Sequence, residues 1–202
     1  SLIHKEDLTN SLLSFQEVYS ISNSSSNFKV RILHKKGHWL WIEGSIVNLL
    51  DNHNIGAIVV SFRDVSDRIK VEEELALASL IVNSSEDAIL SKTNDNIINS
   101  WNHGAESIFG YSAEEIIGQS IYLLIPPHLH EEERRISDKI SNTRSVKYLE
   151  TQRIRKDGTI IDVSLTISPI LNESNQVIGS SKIMRDITSR KKLENERNKV
   201  ID

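Results

Sequence analysis

Cysteine is absent from the sequence. That excludes disulfides, thiolate metal sites and a cysteine nucleophile. No apolar run approaches the roughly eighteen residues that span a bilayer, and no secretory leader pattern is visible. An excess of positive charge is missing too. With 24 Lys and Arg against 28 Asp and Glu, the net charge is −4, which gives no electrostatic basis for binding nucleic acid or an anionic membrane. Nucleophile elbow, phosphate loop, kinase histidine box and nucleotide-binding glycine run are all lacking. The segment therefore reads as non-catalytic, with no metal site. Its 202 residues allow one or two domains.

What is present is a long repeat. Arg63-Asp64-Val65-Ser66 recurs as Arg185-Asp186-Ile187-Thr188, each followed at once by a charged run such as Glu72-Glu73-Glu74, a solvated helix face. Gly37 matches Gly158, and Gly56 matches Gly179. Repeats of a solenoid run roughly 20–50 residues; this offset is far longer and marks a duplicated domain. Each copy carries three strand signals. In the second, residues 148–155 lead through Asp157-Gly158, a tight-turn signal because Gly takes positive φ without steric cost. Ile161, Val163, Leu165 and Ile167 then alternate with Asp162, Ser164, Thr166 and Ser168, so one face is buried. Residues 177–186 form the third strand. The first copy repeats this at residues 28–32, 39–49 and 55–64.

The second copy also has a front half: short strands at 87–92 and 96–101, and short helices at 102–109 and 113–117. Ser112 and Glu115 suit a capping box. After Ile125-Pro126-Pro127 a helix spans 128–141, with Glu131, Glu132 and Glu133 at its positive end. The first copy has no such front half, and the sequence has no initiator Met, so the expectation is a fragment cut inside its first module.

The ordered set Glu86-Asp87-Ala88-Ile89, residues 102–119, Leu124-Ile125-Pro126-Pro127, Arg155-Lys156-Asp157-Gly158, Ile167-Ser168-Pro169-Ile170 and Arg185-Asp186-Ile187-Thr188 resembles a PAS domain with its C-terminal PAC motif. The resemblance covers residues 81–188 in full and 1–66 as a C-terminal half. It implies an α+β PAS fold: a five-stranded antiparallel sheet in spatial order second, first, fifth, fourth, third, with short helices over one face. The expected organisation is a C-terminal half module at 1–65, a linker helix at 66–83, a complete module at 84–188 and an outgoing helix from 189. The implied function is the sensory input region of a cytoplasmic signal-transduction protein, such as a histidine kinase with a downstream output domain. The alternative is a ligand-free spacer and dimer module.

A pocket is implied between sheet and helices, with candidates Trp101, Glu133, Ile136, Leu149, Val163, Leu165, Ile167, Ser180 and Lys182. Its cofactor is unknown. Covalent flavin chemistry needs the missing cysteine. In haem-binding relatives the axial histidine falls at Glu133 and the distal arginine at Leu149, so haem is not expected. His128 and His130 sit two apart and would not share a helix face. Alternation puts Ile178, Ser180, Lys182 and Met184 on one face. An inward Lys182 needs a counter-charge, from a small anionic ligand or from Glu133; the remaining reading lets it reach solvent. Asp64, Ser66, Asp186 and Thr188 are placed where each module meets its exit helix and are the signal-coupling candidates. On the linker, Val71, Leu75, Ala78 and Val82 are spaced as an a/d stripe. That stripe either covers the second module's sheet or dimerises. A homodimer is expected through the linker helices or a sheet edge. Leu193 and Val200, seven apart, suggest a second linker.

Overall fold

A computed structural model describes residues 2–142 and 145–199. The chain divides into two compact units, Ser1–Leu77 and Ala78–Asp202. Val200 lies outside the described residues, so the Leu193–Val200 spacing is not assessed.

In the first unit helix α1 (Lys5–Ser20) precedes strands β1 (Ser25–Leu33), β2 (Trp39–Leu49) and β3 (Ala57–Asp64). The strands form an antiparallel sheet in that order. Val18, Val30, Ile42, Ile46, Val65 and Ile69 are buried. Arg31 fixes α1 to β1: its Nε and Nη2 donate to the two Asp7 oxygens at 2.8 and 2.7 Å. Among the described residues no strand pairs with the outer edge of β3. Val59, Val60 and Phe62 are exposed on it, Phe62 at 63%. Helix α2 (Ser66–Asn83) then runs unbroken by Gly or Pro. Val71, Leu75 and Val82 of its stripe are exposed.

The second unit contains β4 (Ala88–Thr93), β5 (Ile98–Trp101), α3 (His103–Phe109), α4 (Ala113–Ile116), α5 (His130–Ser141), β6 (Val146–Ile154), β7 (Ile160–Leu171), β8 (Val177–Asp186) and α6 (Thr188–Lys199). Its sheet order is β5-β4-β8-β7-β6, antiparallel throughout. This is the order the resemblance implies, with the last strand at the centre. Helix α5 starts later than the sequence suggests. Pro127–Leu129 form a 3-10 turn first.

The hairpins repeat. Gly37 and Gly158 sit at φ +85° and +83°, and each turn is closed by the same pair of backbone bonds, His34 to His38 and Arg155 to Thr159 at 2.8 and 2.9 Å. Gly56 and Gly179 do not share a role. Gly56 lies in the turn before β3 at φ +57°. Gly179 lies within β8, where a Cβ would meet the Lys92 carbonyl oxygen at 2.3 Å.

Strand β7 buries Ile161, Val163, Leu165 and Ile167, as its alternation dictates. Strand β8 departs from simple alternation. Ser180, Lys182 and Met184 are buried, but Ile178 is 50% exposed. The register between β7 and β8 shifts between Ile170 and Leu171. A one-residue slip of this kind turns a side chain to the other face.

Candidate functional site

Four charged side chains meet in the core of the second unit. Lys92, Arg153 and Lys182 come from β4, β6 and β8, and Glu133 from the first turn of α5. All are buried. Lys182 Nζ donates to Glu133 Oε1. Lys92 Nζ lies 3.7 Å from the same oxygen, and Arg153 Nη2 lies 3.8 Å from Glu133 Oε2. Lys92 also donates to Asn96 Oδ1 and, at 3.3 Å, to Ser137 Oγ. Arg153 Nη1 donates to the Gln152 carbonyl at 2.6 Å. At the rim, partly exposed Glu132 accepts from Thr151 Oγ1 at 2.7 Å and lies 3.8 Å from Arg153.

Burial dominates the electrostatics. It pushes Lys182 down to about 8, partly opposed by Glu133 and reinforced by the charges of Arg153 and Lys92. Burial also lowers Lys92 and Arg153, again with Glu133 opposing. A buried cation is held against such a cost only by nearby opposite charge and hydrogen bonds. Lys182 is therefore turned inward and does not reach solvent, and Glu133 stands beside it as a counter-charge.

The remaining space is small. A cavity of about 20 Å³ lies beside Lys92, between α5 and strands β4 and β8, with Ile136, Ser137 and Ser180 in its wall. Ile136 and Ser180 thus meet there, close to Glu133 and Lys182. Leu149 is only half-buried and pairs with Leu165. Val163, Leu165 and Ile167 are fully buried in the apolar core. Trp101 pairs with Leu90 at the other edge of the sheet and belongs to the same buried core. Its indole Nε1 donates to the Tyr111 carbonyl at 3.0 Å, and its ring lies 5.6 Å from Phe109. It is a core residue hydrogen-bonded to backbone.

His130 Nε2 is 3.1 Å from the Ile125 carbonyl oxygen, which occupies that ring nitrogen. Among the described residues no group of three or more His, Asp or Glu is arranged to hold a metal ion.

The exit-helix junctions are built twice in the same way. In the first unit Ser66 N donates to Asp64 Oδ1 at 2.9 Å, and Trp41 N donates to Ser66 Oγ at 2.9 Å. In the second, Thr188 N donates to Asp186 Oδ1 at 2.8 Å, and Asp162 N donates to Thr188 Oγ1 at 3.0 Å. The backbone bonds Val65 N to Trp41 O and Ile187 N to Asp162 O, both 2.9 Å, complete each junction. The second is further braced by Arg155 Nη2 to Asp186 Oδ2 at 2.7 Å. Burial alone would raise Asp186, but the Thr188 and Arg155 bonds outweigh it and hold the carboxyl below its usual range.

The architecture and the ordered motifs converge on one family. A model of the PAS domain matches residues 86–189. The chain belongs to the PAS domain family. The crystal structure of a PAS domain of a Colwellia psychrerythraea protein is similar at 30% identity and TM-score 0.54, covering 57% of this chain and 98% of that one. The PAS domain of an HTR-like protein from Haloarcula marismortui is similar at 22% identity and TM-score 0.52, covering 60% and 98%. An RNA-binding light-oxygen-voltage receptor shares 12% identity at TM-score 0.51, covering 99% and 86%, a likeness of fold alone. No curated protein matches the chain.

Two residues of the PAS core escaped the sequence reading. Lys92 and Arg153 stand on inward strand positions, but long cationic side chains usually reach water from such positions, so alternation alone gave no signal of burial. Asn102 was read only as the start of a helix. It is buried and uses all its groups: Oδ1 accepts from Ile89 N at 2.8 Å and Ala105 N at 2.9 Å, and Nδ2 donates to the Val82 and Asp87 carbonyls at 2.9 and 3.1 Å.

Proposed function

We infer that PAS membership gives the chain a sensory and signalling role. We propose that the chain is the input region of a multidomain cytoplasmic signal-transduction protein such as a histidine kinase, and that its first unit is the C-terminal half of a second PAS module. In this reading, changes in packing between the sheet and α5 bias the exit helix α6 and so an output domain beyond it. The chain carries no catalytic residues of its own and pairs with a second copy through the linker helix or the β3 edge.

The observation that carries this reading is the braced junction at Asp186 and Thr188. The central strand ends in it, so a shift of the sheet core moves the bonds that start α6. Lys191 ties α6 back to the sheet through Glu150 at 3.2 Å and Asp162 at 3.4 Å. The test is hydrogen exchange on T188V in the full chain. Amides of α6 are expected to exchange faster while those of β7 keep their protection. Unchanged α6 exchange would remove the coupling role.

The second reading is a ligand-free relay and dimerisation module. The small volume beside Lys92 favours it.

A further inference from the structure

The two units share a back half but differ in chemistry at one place. The matched hairpins put Ile32 where Arg153 stands, and the matched exit junctions put Val60 where Lys182 stands. On the helices, buried Val18 of α1 falls where Ile140 falls on α5, which puts Ser11 where Glu133 stands. These three residues meet in the first unit, as their counterparts meet in the second. Ser11, Ile32 and Val60 line one apolar groove of about 550 Å³, with Phe28, Ile42 and Phe62. The charged cluster of one unit is an uncharged wall in the other.

In the second unit the front half closes over this place. Strand β4 pairs with β8 from Ala88–Met184 to Thr93–Gly179 and carries Lys92 to 3.7 Å from Glu133. In the first unit the matching edge, on β3, has no paired strand among the described residues, and Val60 and Phe62 are exposed on it. Residues 84–127 thus have two back halves to choose from. Both are on the same chain, so they compete at high effective concentration. Docked on the first unit, β4 would bring the Lys92 ammonium against Ile32 and Val60, with a serine in place of Glu133. An ammonium buried without an opposite charge is strongly disfavoured. A buried ion pair is a weak source of stability, but it rejects any partner that leaves one of its charges unpaired.

We propose that the cluster of Lys92, Glu133, Arg153 and Lys182 is a pairing device. It assigns residues 84–127 to the back half of their own module and keeps them off the β3 edge and the apolar groove of the first unit, in the same chain or in a second copy. The inference rests on the reading of the first unit as half of a PAS module. It also gives the groove a specificity: the front half that fits there carries an apolar residue where this one carries Lys92.

The chain has no cysteine, so engineered pairs report which strands meet. Ile89 faces Ile183 across β4 and β8, and the repeat puts Ser61 where Ile183 stands. The full chain with Ile89→Cys and Ser61→Cys is unfolded in urea, refolded and oxidised, and the disulfide between positions 61 and 89 is quantified by peptide mass spectrometry. Ile89→Cys with Ile183→Cys reports the native pairing. With Lys92 in place the 61–89 bond is expected to stay at background, and adding Lys92→Met should raise it about tenfold or more. Ser11→Glu leaves the second module untouched and offers Lys92 a carboxylate in the groove. It should raise the bond likewise, and it decides alone if Lys92→Met fails to fold. An abundant 61–89 bond, equal with and without these changes, would show that the first unit accepts a PAS front half and that the charges do not discriminate. The inference then falls and the half-module reading stands. No 61–89 bond in any variant, while the 89–183 bond forms, would show that the first unit takes no front half of this kind and would remove both.

Discussion

Lys182 on β8 and Glu133 on α5 are joined directly across the core, and neither side chain is more than 1% exposed. The pair joins the central strand of the sheet to the long helix packed over it. In this PAS core a salt bridge occupies ground that an apolar contact or a cofactor could have taken.

The pH dependence of Lys182 follows from its lowered value. Free lysine titrates near 10.5, and burial holds this one at about 8. Below about 8 both folded and unfolded chains keep the proton, and the contribution does not vary. Between about 8 and 10.5 the unfolded chain holds a proton that the native chain has released, so stability rises with pH. The full shift corresponds to about 3 kcal/mol. Urea denaturation from pH 7.5 to 10.5 should show this rise in the wild type relative to Lys182→Met. Parallel curves for the two proteins would contradict it.

Removing the carboxylate should harm the fold more than removing one cation. Glu133→Gln leaves three buried cations without their shared partner and is expected to cost about 3–5 kcal/mol. Lys182→Met leaves Glu133 with Lys92 and Arg153 at 3.7 and 3.8 Å and should cost less. Equilibrium unfolding of both variants at pH 7 gives the ranking, and the reverse order would show that the three cations do not depend on Glu133.

Leu165 is wholly buried on β7, with Leu149 and Met184 as cross-strand neighbours. Leu165→Ala is expected to cost about 2–5 kcal/mol, from lost burial and the cavity left behind. A loss under about 1 kcal/mol in chemical denaturation would mean that the core refills the space.

Haem supplied during expression should leave the purified chain without a Soret band. Glu133 stands where a haem-binding relative carries its axial histidine and is already paired with Lys182. His130, one helical turn away, meets the Ile125 carbonyl. An absorption spectrum with a Soret band would show that both contacts break.

The β3 edge bears Val59, Val60 and Phe62 in the open. Exposed apolar strand edges invite pairing with another chain. Amides of Ala57–Asp64 that point away from β2 should therefore exchange slowly at high protein concentration and faster on dilution, as a dimer through this edge requires. Fast exchange at every concentration would show an open edge.

The sequence by itself determined the strands of both units and their order. Asp157-Gly158 and Lys36-Gly37 set the hairpins, since a residue without a side chain takes the left-handed turn at least cost. The alternation of Ile161, Val163, Leu165 and Ile167 set the buried face of β7, because side chains of a strand point to opposite faces in turn. The repeated Arg-Asp pairs marked two junctions, and their hydrogen bonds prove equivalent down to the bonding of Ser66 and Thr188. Only the tertiary structure decided the site. Whether Lys182 met solvent or Glu133 depended on the distance between residues 49 positions apart. That distance is fixed by how α5 lies over the sheet, and no local pattern encodes it. The burial of Lys92 and Arg153 depended likewise on strands from three parts of the chain converging on one carboxylate. The outward turn of Ile178 arose from a register slip between β7 and β8, which belongs to the pairing of two strands and to neither sequence alone.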